Sequence, residues 1–387
     1  MRPVPARSLG RAWRKILFRG IAVLLAAFVA AEIGLRARDS VLGRGWNSPM
    51  RRMVYDGSLY AVPRIFCQFR HRPGARFLIP GSDPPAEVWI NSLGLRGDEV
   101  SRQKPAGVYR ILCLGGSTTF DAFNGTALHW PLLLEKKLEE QFPGRDFEVL
   151  NAGVNSWSTA HSLAYLLFDG LALQPDLVIV YHNVNDIAVN FHGDPEPDYS
   201  NRYGHPSWDP RPEGRLRPLD LLLDWSQTYL WLGLFAKEHL APPPKLPGLY
   251  DAARGTPAAR YYRRNLESIH AAAAAQGIKV VYGLQAQDIV KRYDSTVQRG
   301  LTRLGAHAIP DAATYAKFHG EYVRITREVA EAHGAAVADV DVELSGRTEM
   351  FVDFCHTTLE GTRIVAEVFK KAVAPLVEPA PGSARKR

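Results

Sequence analysis

Short, unbroken apolar runs alternating with stretches of helical periodicity constrain this chain more than any other feature. Residues 109–114 read YRILCL, 147–150 FEVL, 177–181 LVIVY, 278–284 IKVVYGL and 335–340 AAVADV. A strand with one face in water would alternate apolar and polar side chains, and these runs do not, so both of their faces must be covered. Helical patterns at 131–141, 159–171, 258–276, 312–333 and 359–376 supply the cover. The expected fold class is therefore α/β, a doubly wound, flavodoxin-like parallel sheet of about five strands with helices on both faces.

Charge narrows the function classes. The 387 residues carry a formal charge of +7, but Arg2, Arg7, Arg11, Arg14, Lys15 and Arg19 crowd the amino terminus, and Arg385, Lys386 and Arg387 close the chain. Without those nine charges +7 becomes −2, so the body is close to neutral and lacks the clustered basic footprint that nucleic-acid binding requires. Cys67, Cys113 and Cys355 are too few and too scattered for a disulfide framework or a zinc ribbon. The twelve histidines include no HExxH or comparable ligand spacing, so neither a metal nor an organic cofactor is expected.

The amino terminus reads as a basic cytoplasmic tail (1–15) followed by a transmembrane signal-anchor (16–35), apolar apart from Arg19 and Glu32. That length is about enough to span a bilayer if Arg19 snorkels, and the six positive charges within residues 1–19 favour a cytoplasmic amino terminus with the body outside. The expectation is a single-pass membrane protein with a periplasmic domain. A cleaved signal peptide, with Val29-Ala30-Ala31 as a small-residue site, and a soluble amphipathic helix are the competing readings. Residues 40–108 read as a mixed, β-rich approach segment packed on the main domain (109–376). Residues 192–255, rich in proline and aromatics and containing an apolar helix at 219–235, read as an insertion acting as lid, substrate wall or structural elaboration. Residues 377–387 read as a disordered tail.

Four pieces of sequence fall at one end of the expected sheet. The first run leads into Gly115-Gly116-Ser117-Thr118-Thr119, where glycines permit a tight turn that leaves a serine hydroxyl clear; such a turn equally binds phosphate or merely turns. The second run leads into Asn151-Ala152-Gly153, whose glycine amide could face a developing oxyanion or serve only as a strand-to-helix turn. The third leads into His182-Asn183-Val184-Asn185-Asp186, offering a side-chain amide donor. Just before the last helix stands Asp353-Phe354-Cys355-His356, whose spacing lets the carboxylate fix one imidazole nitrogen and leave the other free to take a serine proton. Each has an ordinary structural reading; their conjunction points to serine-based ester chemistry.

These four blocks, GGSTT, NAGVN, NVND and DFCH, resemble those of the SGNH/GDSL hydrolase superfamily over roughly residues 109–376. The resemblance implies Ser117 as nucleophile, the Ser117 amide, Gly153 and Asn185 as oxyanion hole, His356 as general base and Asp353 as its orienting carboxylate. Gly116 stands where the family often has aspartate, and Asn183 where it often has glycine. The activity implied is a serine esterase acting on a small-molecule, glycan or lipid ester. Two alternatives stand beside it: an O-acyltransferase using the same triad with a sugar acceptor, and a catalytically silent carbohydrate-binding module. Cys355 as nucleophile is disfavoured because no glycine turn exposes it.

Overall fold

The computed structural model describes residues 6–41, 60–61, 66–67, 69–78, 87–203, 226, 228–229, 232, 256–294, 297–298, 301 and 306–377. The 377–387 tail, save Val377, and most of the expected 219–235 helix lie outside the described residues. Two compact units are present, one made of Met1–Gly57 with Arg211–Pro243, the other of Ser58–Pro210 with Pro244–Arg387.

In the first unit, α1 runs through Ala6–Val41, and its stretch Trp13–Arg38 is long and apolar enough to cross a membrane. Most of its large apolar side chains are exposed. Glu32 is the exception in both senses, being polar and only 7% exposed. Its carboxylate accepts from Arg36 Nε at 2.7 Å, from Ser226 Oγ at 2.9 Å and from the Thr228 amide at 2.9 Å.

The second unit opens with two short antiparallel pairs, β1 (Tyr60–Ala61) with β2 (Arg70–His71) and β3 (Arg76–Leu78) with β4 (Glu87–Trp89). The main sheet follows: β5 (Tyr109–Gly115), β6 (Phe147–Asn151), β7 (Leu177–Tyr181), β8 (Lys279–Leu284) and β9 (Ala336–Asp339), all parallel in the order β6-β5-β7-β8-β9. This is the five-stranded, doubly wound arrangement anticipated from the apolar runs, and the order reverses at β5, where such folds place their ligand crevice. Successive side chains serve opposite faces. Leu112, Leu114, Val178 and Val180 enter one core layer, while Ile111, Cys113, Leu177 and Ile179 enter the other. Fully burying each such aliphatic side chain contributes about 2 kcal/mol.

The first layer is closed by α4 (Thr159–Tyr165), α7 (Ala259–Ala274) and α8 (Ala312–Ala332), and the second by α3 (Trp130–Gln141) and α9 (Leu359–Val373). Short helices bearing on the site are α2 (Ser117–Phe120), α5 (Val184–Ile187) and α6 (Ser200–Tyr203). Caps explain where the longer ones begin. Asp311 accepts from the Thr314 amide at 2.7 Å, and the His129 ring accepts from the Leu132 amide at 3.2 Å with Pro131 in the first turn. The expected helix 159–171 is not a single regular one: past Tyr165 it widens into a π turn at Leu166–Gly170 and then tightens at Leu171–Leu173. The wide turn carries Gly170 onto β5, where an added Cβ would meet Leu112 Cδ2 at 3.0 Å.

The approach segment is tied to the main sheet by a buried arginine. The Arg96 guanidinium donates to the carbonyls of Phe120, Asp121 (2.7 Å) and Asn124, the three groups that end the turn after α2. Burial lowers its pKa to about 10, and the neighbouring Asp121 carboxylate counters part of that shift. Asp121 itself has φ 65° and accepts from the Trp130 amide, Asn124 and Thr362. Removing the guanidinium takes the charged donor from three interior carbonyls and the neighbouring cation from the Asp121 carboxylate. Arg96→Met is therefore expected to destabilise the fold by about 3 kcal/mol, read as a lower denaturation midpoint with unchanged slope in urea.

Candidate active site

Strand β5 ends on two glycines that leave no room for a side chain. A Cβ on Gly115 would lie 1.9 Å from Thr119 Oγ1, and one on Gly116 would lie 2.6 Å from Asn185 Nδ2 and 2.9 Å from the Trp157 carbonyl. Any side chain at position 116 would therefore require Asn185 or the Trp157 carbonyl to move. Ser117 follows as the first residue of α2, and the indole N–H of buried Trp130 holds the turn by donating to the Thr118 carbonyl at 3.0 Å. Trp130 is itself stacked on Phe369 of α9 with ring centroids 4.5 Å apart, so the core packing reaches directly into the serine turn.

The sheet brings Ser117 to the residues expected from the last loop, 239 positions away. His356 Nε2 lies 2.7 Å from Ser117 Oγ, and His356 Nδ1 lies 2.7 Å from Asp353 Oδ2. The other carboxylate oxygen of Asp353 accepts from the amides of Cys355 (2.9 Å) and His356 (2.8 Å). Burial alone would raise the pKa of Asp353. The charge and hydrogen bond of His356, with those two amides, outweigh it and bring the value down to about 2.

The three expected oxyanion donors are differently placed. Asn185 Nδ2 stands over Gly116 and donates one hydrogen to the Trp157 carbonyl at 2.9 Å; its second hydrogen is free to be shared. The Ser117 amide lies at the amino end of α2. The Gly153 amide donates to Asn151 Oδ1 at 3.0 Å, so any share in oxyanion binding would be divided with that acceptor. What Gly153 supplies outright is space: a Cβ there would meet the Phe120 amide nitrogen at 2.3 Å. The remaining residue of that loop set, Asp186, is fully buried and accepts from the Thr159 amide at 3.1 Å, holding the first turn of α4.

Several site residues escape sequence reading. Arg202 of α6, 2% exposed, donates to the Asn185 carbonyl and, at 3.3 Å, to Asn185 Oδ1. With the oxygen end of the amide fixed by a cation, the nitrogen end must face Gly116 and Ser117's turn. Gln285, at the end of β8, joins the two halves of the site by donating to Thr118 Oγ1 at 2.9 Å and accepting from the Val184 amide at 3.1 Å. Phe123, 41% exposed, sets its ring edge-on to His356 with centroids 5.2 Å apart. An arginine, a glutamine and a phenylalanine without local motif context give no signal in the sequence.

Among the described residues, Asp353, Cys355 and His356 are a His/Cys/Asp/Glu group close enough to share an ion, with donor atoms within 4.8 Å of one another. Asp353 and His356 are already engaged with each other, and burial pushes the Cys355 thiol well above its usual pKa, which keeps it protonated and a poor ligand.

No protein-family model matches the chain, and no curated protein sequence matches it. Solved structures with a similar outline include an alpha/beta hydrolase enzyme from the metagenome of Lake Arreo, 17% identical over 70% of this chain and 97% of that one, with TM-score 0.41. The lipase/acylhydrolase from Enterococcus faecalis is 15% identical over 71% and 100%, TM-score 0.41. A GDSL-like lipase from Bacteroides thetaiotaomicron is 14% identical over 69% and 89%, TM-score 0.39. The fold itself is defined by the strand order and connections of this chain.

The depressed pKa of Asp353 carries a stability consequence. A carboxyl whose folded pKa lies below its unfolded value adds stability above the unfolded pKa and loses it as pH falls through the folded one. The wild-type chain should therefore lose melting temperature more steeply than Asp353→Asn as pH drops from the ordinary carboxylate range toward about 2. Thermal melts of the two chains across that range provide the check.

Proposed function

We propose that this chain is a serine esterase of SGNH/GDSL type, hydrolysing an acyl ester through an acyl-enzyme. The observation that carries the reading is the continuous hydrogen-bonded line from Ser117 Oγ through His356 to Asp353, both links 2.7 Å long. An imidazole held at one nitrogen by an ionised carboxylate accepts a proton at the other, which is what a serine hydroxyl needs in order to attack a carbonyl.

In the first half-reaction Ser117 Oγ bonds to the acyl carbon while its proton passes to His356 Nε2. The developing oxyanion takes donors from the Ser117 amide and Asn185 Nδ2, each worth roughly 3 kcal/mol of barrier, with Gly153 contributing to the extent that it releases Asn151. His356 then returns the proton to the departing alcohol as the C–O bond breaks. Water repeats the sequence against the acyl-enzyme, regenerating Ser117 and releasing the acid. On this reading α1 is a membrane anchor, and the basic residues at its amino-terminal end favour a periplasmic hydrolase domain, where a glycan or lipid ester of the envelope is the substrate class at hand.

A fluorophosphonate probe on the full chain in detergent tests the nucleophile. The label should map to Ser117, vanish in Ser117→Ala and fall sharply in His356→Ala, with ester turnover in either variant reduced on the order of 10⁶-fold. An unlabelled, folded wild-type chain would overturn the assignment. Arg202 is the positioning residue in this scheme. Arg202→Leu should lower kcat by about 10²-fold with little change in KM, because an oxyanion donor acts in the transition state and not on the bound ester. Arg202→Lys should recover part of the loss. Equal loss in both kcat and KM would instead indicate a general collapse of the site.

A further inference from the structure

Phe123 is an aromatic side chain left exposed on backbone that has no freedom to hide it. It stands six residues after Ser117, on a turn pinned from several sides. The Ala122 amide donates to the Ser117 carbonyl at 3.3 Å, and the Asn124 amide to the Asp121 carbonyl at 3.2 Å. Arg96 holds the Asp121 and Asn124 carbonyls on either side of Phe123. The Asn124 side chain donates in turn to Asp121 Oδ1 at 2.7 Å and to Thr362 Oγ1 of α9 at 3.0 Å. Scattered exposed apolar residues are ordinary. One fixed this firmly against the imidazole of His356, with ring centroids 5.2 Å apart, can receive an apolar group with little further cost of ordering.

We infer that Phe123, with Val352, receives the alcohol component of the ester, and that this component presents a ring with an apolar face, as a sugar or an aryl alcohol does. The inference rests on Ser117, His356 and Asp353 acting as the esterase triad. Proton transfer fixes the side. The tetrahedral carbon on Ser117 Oγ turns its oxyanion toward the Ser117 amide and Asn185 Nδ2. Its departing oxygen must lie within hydrogen-bond reach of His356 Nε2, because that nitrogen returns the proton as the C–O bond breaks. The alcohol therefore leads away past the imidazole, while the acyl chain, the remaining substituent of the same carbon, takes a different direction.

What flanks the imidazole meets the alcohol first. Phe123 is there by its ring contact. Val352 is there by backbone pairing, its amide donating to the His356 carbonyl at 2.8 Å, and its side chain is likewise exposed. Neither side chain carries a charge or a hydrogen-bonding group, so the pair favours apolar surface. An aromatic ring in addition favours a flat partner, the face of an aryl ring or the C–H face of a sugar.

The test compares esters of three alcohols of similar acidity, ethanol, benzyl alcohol and the primary hydroxyl of methyl glucoside, each as acetate and as octanoate, on the full chain in detergent. In either acyl series kcat/KM for a ring alcohol should exceed that for ethanol by about tenfold, and the larger of the two ratios tells a sugar from an aryl alcohol. Phe123→Ala should lower the ring-to-ethyl ratio by about the same factor, and Phe123→Tyr should retain it. An equal loss on all three alcohols in Phe123→Ala would overturn the inference and leave Phe123 as a positioning residue for His356. A change that follows the acyl series instead would put the ring on the acyl side and overturn it as well. Fluorophosphonate labelling of the same samples separates this inference from the triad: a wild-type chain labelled at Ser117 that shows no ring preference, or turns over none of these esters, overturns the inference and keeps the activated serine, whereas an unlabelled, folded chain overturns both.

Discussion

The site depends on two backbones approaching closer than side chains allow. The turn after β6 presses Gly153 against the Thr119–Phe120 peptide, where an added Cβ would lie 2.3–2.7 Å from backbone atoms. The turn after β5 is pressed from the other side by Asn185 and Trp157. Between these walls the chain can make only one sharp exit from β5, and Ser117 is carried out at the sheet edge as its first helical residue. Hydrogen bonding then locks what sterics have selected: Val154 donates to Gly115 and Ala152 to Cys113, so the β5 and β6 loops continue to pair past the ends of their strands. Trp130 and Arg96 bind the same turn from behind through its carbonyls.

Charge is managed around this turn by a consistent device. Each of these acidic or basic side chains is met by groups that cannot move away, mostly backbone. Asp353 has two amides and an imidazole, Asp186 has the first turn of α4, and Arg96 has three carbonyls. Preorganised partners of this kind cost no rearrangement when charge moves. Gln285 and Arg202 apply the same device to neutral amides and hydroxyls, fixing which end of each dipole faces the serine.

The fold was legible in the sequence because its strands are buried on both faces and so appear as unbroken apolar runs. Strand β7 coincides with the LVIVY run at 177–181. The helix at 159–171 was misread in its second half because a π turn leaves no periodic trace, only a glycine whose packing partner, Leu112, is far away in sequence. The four motif blocks were visible as strand-end turns, and the structure brings Ser117, His356 and Asp353 into one hydrogen-bonded line. The engagement of the Gly153 amide by Asn151 was not visible, because it depends on the rotamer of a neighbouring side chain. Arg202 and the partners of Glu32 were hidden for a different reason: both lie in or beside the proline-rich insertion, where local pattern says little about long-range pairing.

The serine and its histidine are separated by 239 residues, and the histidine loop immediately precedes the final helix α9. A chain emerging in order from its amino terminus would have α1, the serine turn and all five central strands complete before His356 exists. The hydrogen bond between Ser117 and His356 would thus form only with the docking of the last few dozen residues. The same arrangement makes the Ser117–His356 contact a report on whole-domain closure: any nick or truncation that lets α9 drift from Trp130 parts the serine from the histidine while leaving most of the sheet in place.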